Sequence, residues 1–227
     1  MEMMKKTYMI IARVAAVTAV VLGLSSCLEK LPADAIHESE AMKTFEDAEQ
    51  TLTGIYSAYM SSSLYSGYLT LLPDIQADMV HAVQGNSNTY GNIWQWDIRP
   101  TTREIEGVYG GLYRVIGRCN FYLDQVEELK KTLVSDADIQ TLDQYTGEVY
   151  CARALAYSEL IKCFCEAYDE NKEQLGVVLR TSYFKEEPVK RASLEDSYKL
   201  VLDDLIKIMP LGDYEEAFSL LESGKAI

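Results

Sequence analysis

Trp94 and Trp96 are the residues whose type and spacing point most directly to ligand chemistry. They are the only two tryptophans, and they follow a loop rich in glycine and asparagine, residues 84–92. Residues 93–98 alternate apolar and polar side chains, which predicts an extended segment with both rings on one side. A sugar ring can stack on such a flat aromatic face, with Asn92 and neighbouring amides hydrogen-bonding its hydroxyls. The alternative is a buried tryptophan pair that closes a hydrophobic core.

Catalytic and metal-binding motifs are missing from the sequence. It contains two histidines, and His81 has no neighbour in sequence that would orient it as a base, so a surface or capping role is favoured. Asp74 and Asp78 lie one helical turn apart, but two carboxylates fall short of the about 6 to 8 oxygens that calcium takes. We therefore expect no enzyme activity, no cofactor and no metal.

Four cysteines, Cys119, Cys151, Cys163 and Cys165, lie in the body of the sequence. Residues two apart on a helix point about 200° away from each other, so Cys163 and Cys165 cannot share one metal ion. We expect small buried thiols on packed helices. A disulfide between two long helices, for instance from Cys119, is the alternative.

The fifth cysteine, Cys27, ends a segment typical of export. Basic residues precede an uncharged apolar run, residues 14–24, which is too short to span a bilayer but suits a signal peptide over residues 1–26. The sequence Leu-Ser-Ser-Cys at 24–27 resembles the lipobox of bacterial lipoproteins. That resemblance implies lipidation of Cys27 by acyl chains such as palmitate, with residues 27–43 as an acidic tether. A soluble secreted protein with an incidental Cys27 is the alternative.

The charge of the protein limits its partners. The formal net charge is −14, and no cluster of lysine and arginine follows the first residues. Nucleic acids and acidic lipid head groups would therefore be repelled. A neutral ligand or another protein fits better.

Residues 44–227 are predicted to form a helical body that positions these groups. Capping patterns mark three helix starts, at Thr44 with Asp47, at Thr101 with Glu104 and at Ser193 with Asp196. Helical spacing predicts helices from Thr44 to the serines at 61–63, over residues 73–83 and 101–133, from the break at Ser135 to Phe164, and from Ser193 to Pro210. The two long helices are joined tightly, so they should pack antiparallel. Residues 169–190 lose the period, and the tail after Pro210 has only weak helical character.

Four glycines interrupt the helix predicted over residues 101–133: Gly107, Gly110, Gly111 and Gly117. Each costs about 1 kcal/mol relative to alanine in a helix interior. Their presence predicts close helix contacts or a local bend.

Several short motifs, in order along the chain, resemble the N-terminal part of the SusD/RagB family. They comprise Phe-Glu-Asp-Ala at 45–48, Thr-Gly-Ile-Tyr-Ser-Ala-Tyr at 53–59, Asp-Ile-Gln-Ala-Asp at 74–78, Arg-Cys-Asn at 118–120, Arg-Ala-Leu-Ala-Tyr at 153–157 and Arg-Ala-Ser-Leu-Glu-Asp-Ser-Tyr at 191–198. The resemblance implies an all-α fold of tetratricopeptide-like helix pairs with irregular loops. It also implies a surface-exposed, lipid-anchored outer-membrane protein that binds a nutrient such as an oligosaccharide beside a TonB-dependent transporter.

The chain departs from this family in three places. The starch-binding member has a Trp-x-Trp pair, matched by Trp94 and Trp96, but its asparagine three residues further on is Arg99 here. A short turn expected after Leu160 is replaced by residues 163–168. Family members are also much longer, so we expect a truncated or split copy. Two other functions stay open: a helical-repeat envelope lipoprotein that binds only protein partners, and a non-functional remnant.

Overall fold

The computed structural model describes residues 41–81, 83–169, 173–183 and 190–208. The predicted signal peptide, Cys27, most of the tether and the tail from residue 209 lie outside the described residues. The described part is mostly helical, which confirms the all-α prediction. Its elements, in chain order, are α1 (Phe45–Tyr59), α2 (Tyr68–Gln76), α3 (Gly91–Trp94), α4 (Arg103–Thr132), α5 (Asp136–Phe164), β1 (Leu175–Val178), β2 (Arg191–Ser193) and α6 (Leu194–Ile206).

Helix α1 starts at the predicted capping box. The Thr44 side chain accepts a hydrogen bond from the Asp47 backbone N–H, and the Asp47 carboxylate accepts one from the backbone N–H of Thr44. Ser135 and Ser193 cap α5 and α6 in the same way, each through the backbone N–H three residues on. These caps could be predicted because their hydrogen bonds are local in sequence.

The capping box predicted at Thr101 and Glu104 is wrong. Helix α4 begins one residue later, with Thr102 as the N-cap and no side-chain cap. The Thr102 hydroxyl instead accepts the backbone N–H of Arg99 at 3.0 Å, which closes the turn before the helix. The buried hydroxyl is thus already satisfied.

The helix predicted over residues 73–83 is also misplaced. Helix α2 spans Tyr68–Gln76, with Pro73 inside it and Asp74 in its last turn. Proline removes one backbone hydrogen bond from a helix interior. The burial of Leu69, Leu72 and Ile75 on one face offsets that loss.

Helices α4 and α5 form the predicted antiparallel pair. The end of α4 meets the start of α5, where the Lys130 ammonium lies 2.7 Å from the Asp143 carboxylate. Further along, the Arg153 guanidinium donates to the Asn120 side chain at 2.7 Å. Helix α1 packs on both helices, and α6 packs on α5. The largest fully buried side chains include Tyr122, Tyr157, Leu112, Ile116, Leu142 and Leu160.

Strand β1 lies in the region where the sequence shows no helical period, and strand β2 directly follows that region. They pair antiparallel, with Leu175 opposite Ser193 and Val178 opposite Arg191. Neither strand is predicted from the sequence. Strands of four and three residues are too short to show a reliable alternation.

Two of the four glycines in α4 confirm the predicted close contacts. A Cβ atom at Gly107 would lie 3.2 Å from the Tyr68 ring, and one at Gly111 would lie 3.0 Å from the Leu64 side chain. At Gly110 and Gly117, no atom of the described residues lies within 4 Å of that position apart from the adjacent residues and the backbone of α4 itself. Packing among the described residues therefore explains only half of these glycines.

Candidate functional site

The segment that carries the tryptophans has an unusual backbone. Among the described residues, four non-glycine residues have a positive φ, and all four lie between residues 78 and 96: Asp78 (56°), Asn88 (55°), Tyr90 (59°) and Trp96 (58°). Aspartate and asparagine tolerate this left-handed region, whereas bulky aromatic residues adopt it rarely. Such local strain persists only where the surrounding structure fixes the conformation, and it clusters at functional sites.

The predicted extended segment at residues 93–98 is wrong. The chain forms the short helix α3 and then a turn, in which the backbone N–H of Trp96 donates to the Ile93 carbonyl at 3.1 Å. The two rings are therefore not positioned by strand alternation. Both side chains are nevertheless exposed, Trp94 at 44% and Trp96 at 63%, so the alternative of a buried core pair is wrong.

The loop is held to the body at two points. The Ile93 side chain, which directly precedes Trp94 in the chain, is fully buried. The Tyr90 ring stands edge-on to the Tyr68 ring of α2, with 6.2 Å between centroids. Asn92, two residues before Trp94, is also exposed, as a ligand contact would require. The tryptophans are thus presented to solvent by an anchored segment.

Arg99 lies three residues after Trp96. Its guanidinium pairs with the exposed Asp97 carboxylate at 3.2 Å. An exposed ion pair of this kind contributes little to stability. His81, Asp74 and Asp78 are all exposed, and no cluster of three or more potential metal ligands occurs in the described part of the chain.

The expectation of buried thiols holds for one cysteine of the four. Cys119 is buried, Cys165 is half-buried, and Cys151 and Cys163 are exposed. All four are free, so the inter-helix disulfide considered above is not formed. Burial raises the pKa of the Cys119 thiol to about 12.

A buried polar network joins α4, α5 and α6, and no sequence motif predicted it. Arg153 donates two hydrogen bonds of 2.7 Å to the Asp204 carboxylate and one of 2.7 Å to Asn120. All three side chains are almost fully buried. Burial acts to lower the pKa of Arg153, and the Asp204 carboxylate outweighs it and raises that pKa. The sequence does contain a signal for this network: Arg153 and Asp204 lie at helical spacing from the buried Val149 and Val201, on the apolar faces of their helices.

Side chains of α4 and α5 also fix the backbone that leaves β1. The Tyr113 hydroxyl donates to the Val178 carbonyl at 2.8 Å and accepts from the Val178 N–H at 3.0 Å. The Tyr157 hydroxyl bonds the carbonyl and N–H of Arg180 in the same manner, at 2.9 and 2.7 Å. Asn120 donates to the same Arg180 carbonyl at 2.9 Å. The backbone N–H and carbonyl groups of Val178 and Arg180 are therefore hydrogen-bonded by tyrosine side chains.

Two of the cavities lined by described residues are large enough to hold a small molecule. One, of about 360 Å³, lies between α4 and residues 178–183. It is lined by Tyr109, Tyr113, Ile116, Gly117, Asn120, Val178, Arg180, Ser182 and Tyr183. The other, of about 680 Å³, lies beside the start of α6 and is lined largely by polar and charged residues such as Glu173, Arg191 and Glu195. None of the described helices is long and apolar enough to cross a bilayer.

Comparison with known proteins identifies relatives. A family model, SusD-like, described as "Starch-binding associating with outer membrane", matches residues 28–218. Among curated proteins, none matches the sequence.

Solved structures share the fold. A SusD superfamily protein from Bacteroides vulgatus is 18% identical with a TM-score of 0.62, over 74% of this chain and 37% of that chain. A SusD homolog from Bacteroides thetaiotaomicron is 24% identical with a TM-score of 0.61, over 75% and 31%. A SusD-like carbohydrate binding protein from Bacteroides vulgatus is 20% identical with a TM-score of 0.56, over 75% and 37%. The matched region spans 31% to 37% of the length of these three proteins.

Proposed function

The chain belongs to the SusD-like family, and from that membership we propose that it is a lipid-anchored outer-membrane protein that binds a neutral oligosaccharide at the cell surface for a TonB-dependent transporter. The family description supports a carbohydrate-binding role and association with the outer membrane. The net charge of −14 favours a neutral ligand over an anionic one.

One observation carries the ligand assignment: Trp94 and Trp96 are exposed on an anchored and strained loop. Large aromatic side chains normally bury most of their surface, so two exposed tryptophans two residues apart need a reason. Stacking against the apolar face of a sugar ring supplies one, because it covers that surface without requiring charge. The side chain of Asn92, also exposed, would add hydrogen bonds to the sugar hydroxyls.

The test is carbohydrate binding by the purified 28–227 protein, measured by affinity electrophoresis and by pull-down with insoluble polysaccharides. The double variant Trp94→Ala/Trp96→Ala should weaken binding at least about tenfold, because it removes two stacking surfaces. Tyr168→Ala removes another exposed aromatic ring, at a distant point in the chain, and should leave binding unchanged.

Circular dichroism distinguishes a ligand role from a structural role. Both tryptophan side chains are exposed, so the double variant should keep its helical signal and its melting temperature. Destabilisation by about 3–5 kcal/mol, the cost of emptying a buried tryptophan site, would show that the two side chains stabilise the fold and would overturn the ligand assignment.

The lipid anchor is proposed at Cys27, which lies outside the described residues. Cells that express the full chain should incorporate labelled palmitate, and Cys27→Ala should abolish the label and release the protein from the membrane fraction. Cys163→Ala, at a cysteine that is exposed in the described part of the chain, is the matched control. Labelling or membrane retention of Cys27→Ala would place the anchor elsewhere.

A second candidate function is a helical lipoprotein that binds only protein. It is favoured by the exposed apolar side chains of α6: Tyr198, Leu202, Leu205 and Ile206. Exposed apolar surface of this kind marks interaction sites. This second function would be favoured if no polysaccharide bound the wild-type protein and if the tryptophan double variant kept the helical signal and melting temperature of the wild type.

A further inference from the structure

We propose that the cavity between α4 and residues 178–183, here called the tyrosine groove, is a second binding site for a sugar ring. The three tyrosines that line it are Tyr109, Tyr113 and Tyr183. The groove shares no lining residue with the segment that carries Trp94 and Trp96. This inference rests on the proposed function, since it assigns a further site to the same class of ligand.

The wall of the tyrosine groove is built before any ligand arrives. The backbone of Val178 and Arg180 is held by the hydroxyls of Tyr113 and Tyr157, at 2.7 to 3.0 Å. Asn120, which is 1% exposed, also holds the Arg180 carbonyl, and it is itself held by Arg153. A ligand that enters a preformed groove loses little free energy to ordering of the protein.

Gly117 on the floor of the groove is the observation that points to an occupant. It lies in the interior of α4, where glycine is the poorest residue after proline. Apart from the adjacent residues and the backbone of α4 itself, no atom of the described residues lies within 4 Å of the position its Cβ would take, so packing in that part of the chain does not require glycine there. A side chain would instead project into the groove. The missing side chain allows a ligand ring to approach the helix backbone closely.

The chemistry of the lining suits an uncharged ring with hydroxyls. Tyr109 and Tyr183 are 38% and 41% exposed and offer ring surface, and Tyr183 is supported edge-on by Phe121 at 5.3 Å. Arg180 and Ser182 also line the groove, and the Ser182 hydroxyl donates to the Asp124 carboxylate at 2.7 Å. No carboxylate is among the residues that line the groove. The volume of about 360 Å³ lies in the range of small-molecule sites.

The experiment compares Gly117→Leu with Gly110→Leu. Both glycines lie in α4 with no described atom near the Cβ position, but Gly110 does not line the groove. Binding of maltoheptaose, xylohexaose and mannohexaose is measured by calorimetry and saturation-transfer NMR. At least one of these sugars should bind the wild-type protein, Gly117→Leu should weaken that binding at least tenfold, and Gly110→Leu should bind as the wild type does. Tyr183→Ala, which removes an exposed ring and leaves α4 intact, should weaken it about threefold or more.

The outcomes separate this inference from the proposed function. If Trp94→Ala/Trp96→Ala weakens binding and Gly117→Leu does not, the groove is not a sugar site and the tryptophan assignment stands. If only Gly117→Leu weakens binding, the groove is a site and the tryptophan assignment fails. If none of the sugars binds the wild type, both fail. A melting temperature of Gly117→Leu several degrees below that of Gly110→Leu would show that the protein itself fills the space, which overturns the inference.

Discussion

Asp204 has no exposed surface, and its carboxylate is held by two hydrogen bonds from the Arg153 guanidinium. The Lys207 ammonium lies further away, at 3.6 Å. The Arg153 charge also lies 5.4 Å from the centre of the Tyr150 ring. In a buried ion pair, the loss of one partner leaves the other charge without compensation and removes much more stability than an exposed pair contributes.

We expect Asp204→Asn to lower the free energy of unfolding by about 3 kcal/mol, measured by urea denaturation. The neighbouring Asp203→Asn removes the same charge from an exposed position of the same helix and should change it by less than about 0.5 kcal/mol. Equal effects of the two substitutions would mean that the ion pair does not stabilise the packing of α6 on α5.

Thiol reactivity tests the placement of Cys119. Because burial raises its pKa to about 12, almost none of this thiol is ionised at pH 8 in the folded state. In the 28–227 protein, the exposed Cys151 and Cys163 and the half-buried Cys165 should react with Ellman's reagent at pH 8, and Cys119 only after addition of denaturant. A disulfide would instead show as two missing thiols in denaturant without reductant.

Within helix α4, the glycines differ in whether a neighbouring element packs against them, so their replacement by alanine should have opposite effects. A Cβ at Gly111 would press on Leu64, which is fully buried and cannot move away. Gly111→Ala should therefore lower the free energy of unfolding by about 1–3 kcal/mol, through overpacking. Gly110→Ala faces open space and should raise it by about 1 kcal/mol, because alanine favours the helix. Stabilisation by both substitutions, measured by thermal denaturation, would contradict the close approach of α4 to residues 61–67.

At the scale of the whole molecule, the exposed apolar face of α6 has consequences for solution behaviour. Leu202 is 57% exposed, and Tyr198, Leu205 and Ile206 lie beside it at helical spacing. We expect the 28–227 protein to self-associate at micromolar concentration and to melt broadly, because apolar surface open to water favours association.

Leu202→Glu should reduce this self-association, as measured by sedimentation velocity. Lys199→Glu also makes the charge of α6 more negative but removes no apolar surface, so it should have a much smaller effect. A monodisperse wild-type monomer with a sharp two-state transition would contradict the expectation.

Local sequence patterns specify the helical frame and most of its boundaries. The caps at Thr44, Ser135 and Ser193 and the antiparallel pair of α4 and α5 could be predicted, since their hydrogen bonds join residues three or four apart and their apolar stripes repeat every turn. The exposure of the tryptophans stood as one of two alternatives, because the sequence pattern does not show which residues the rest of the fold will cover.

Tertiary structure decided what lies between these helices. The left-handed turn at Trp96 depends on the burial of Ile93 and the contact of Tyr90 with Tyr68, more than twenty residues away in the chain. The course of residues 178–180 depends on tyrosine hydroxyls from α4 and α5. Such contacts join distant segments through single side chains, so they leave no periodic signal in the sequence, and only the packed fold brings their partners within hydrogen-bonding distance.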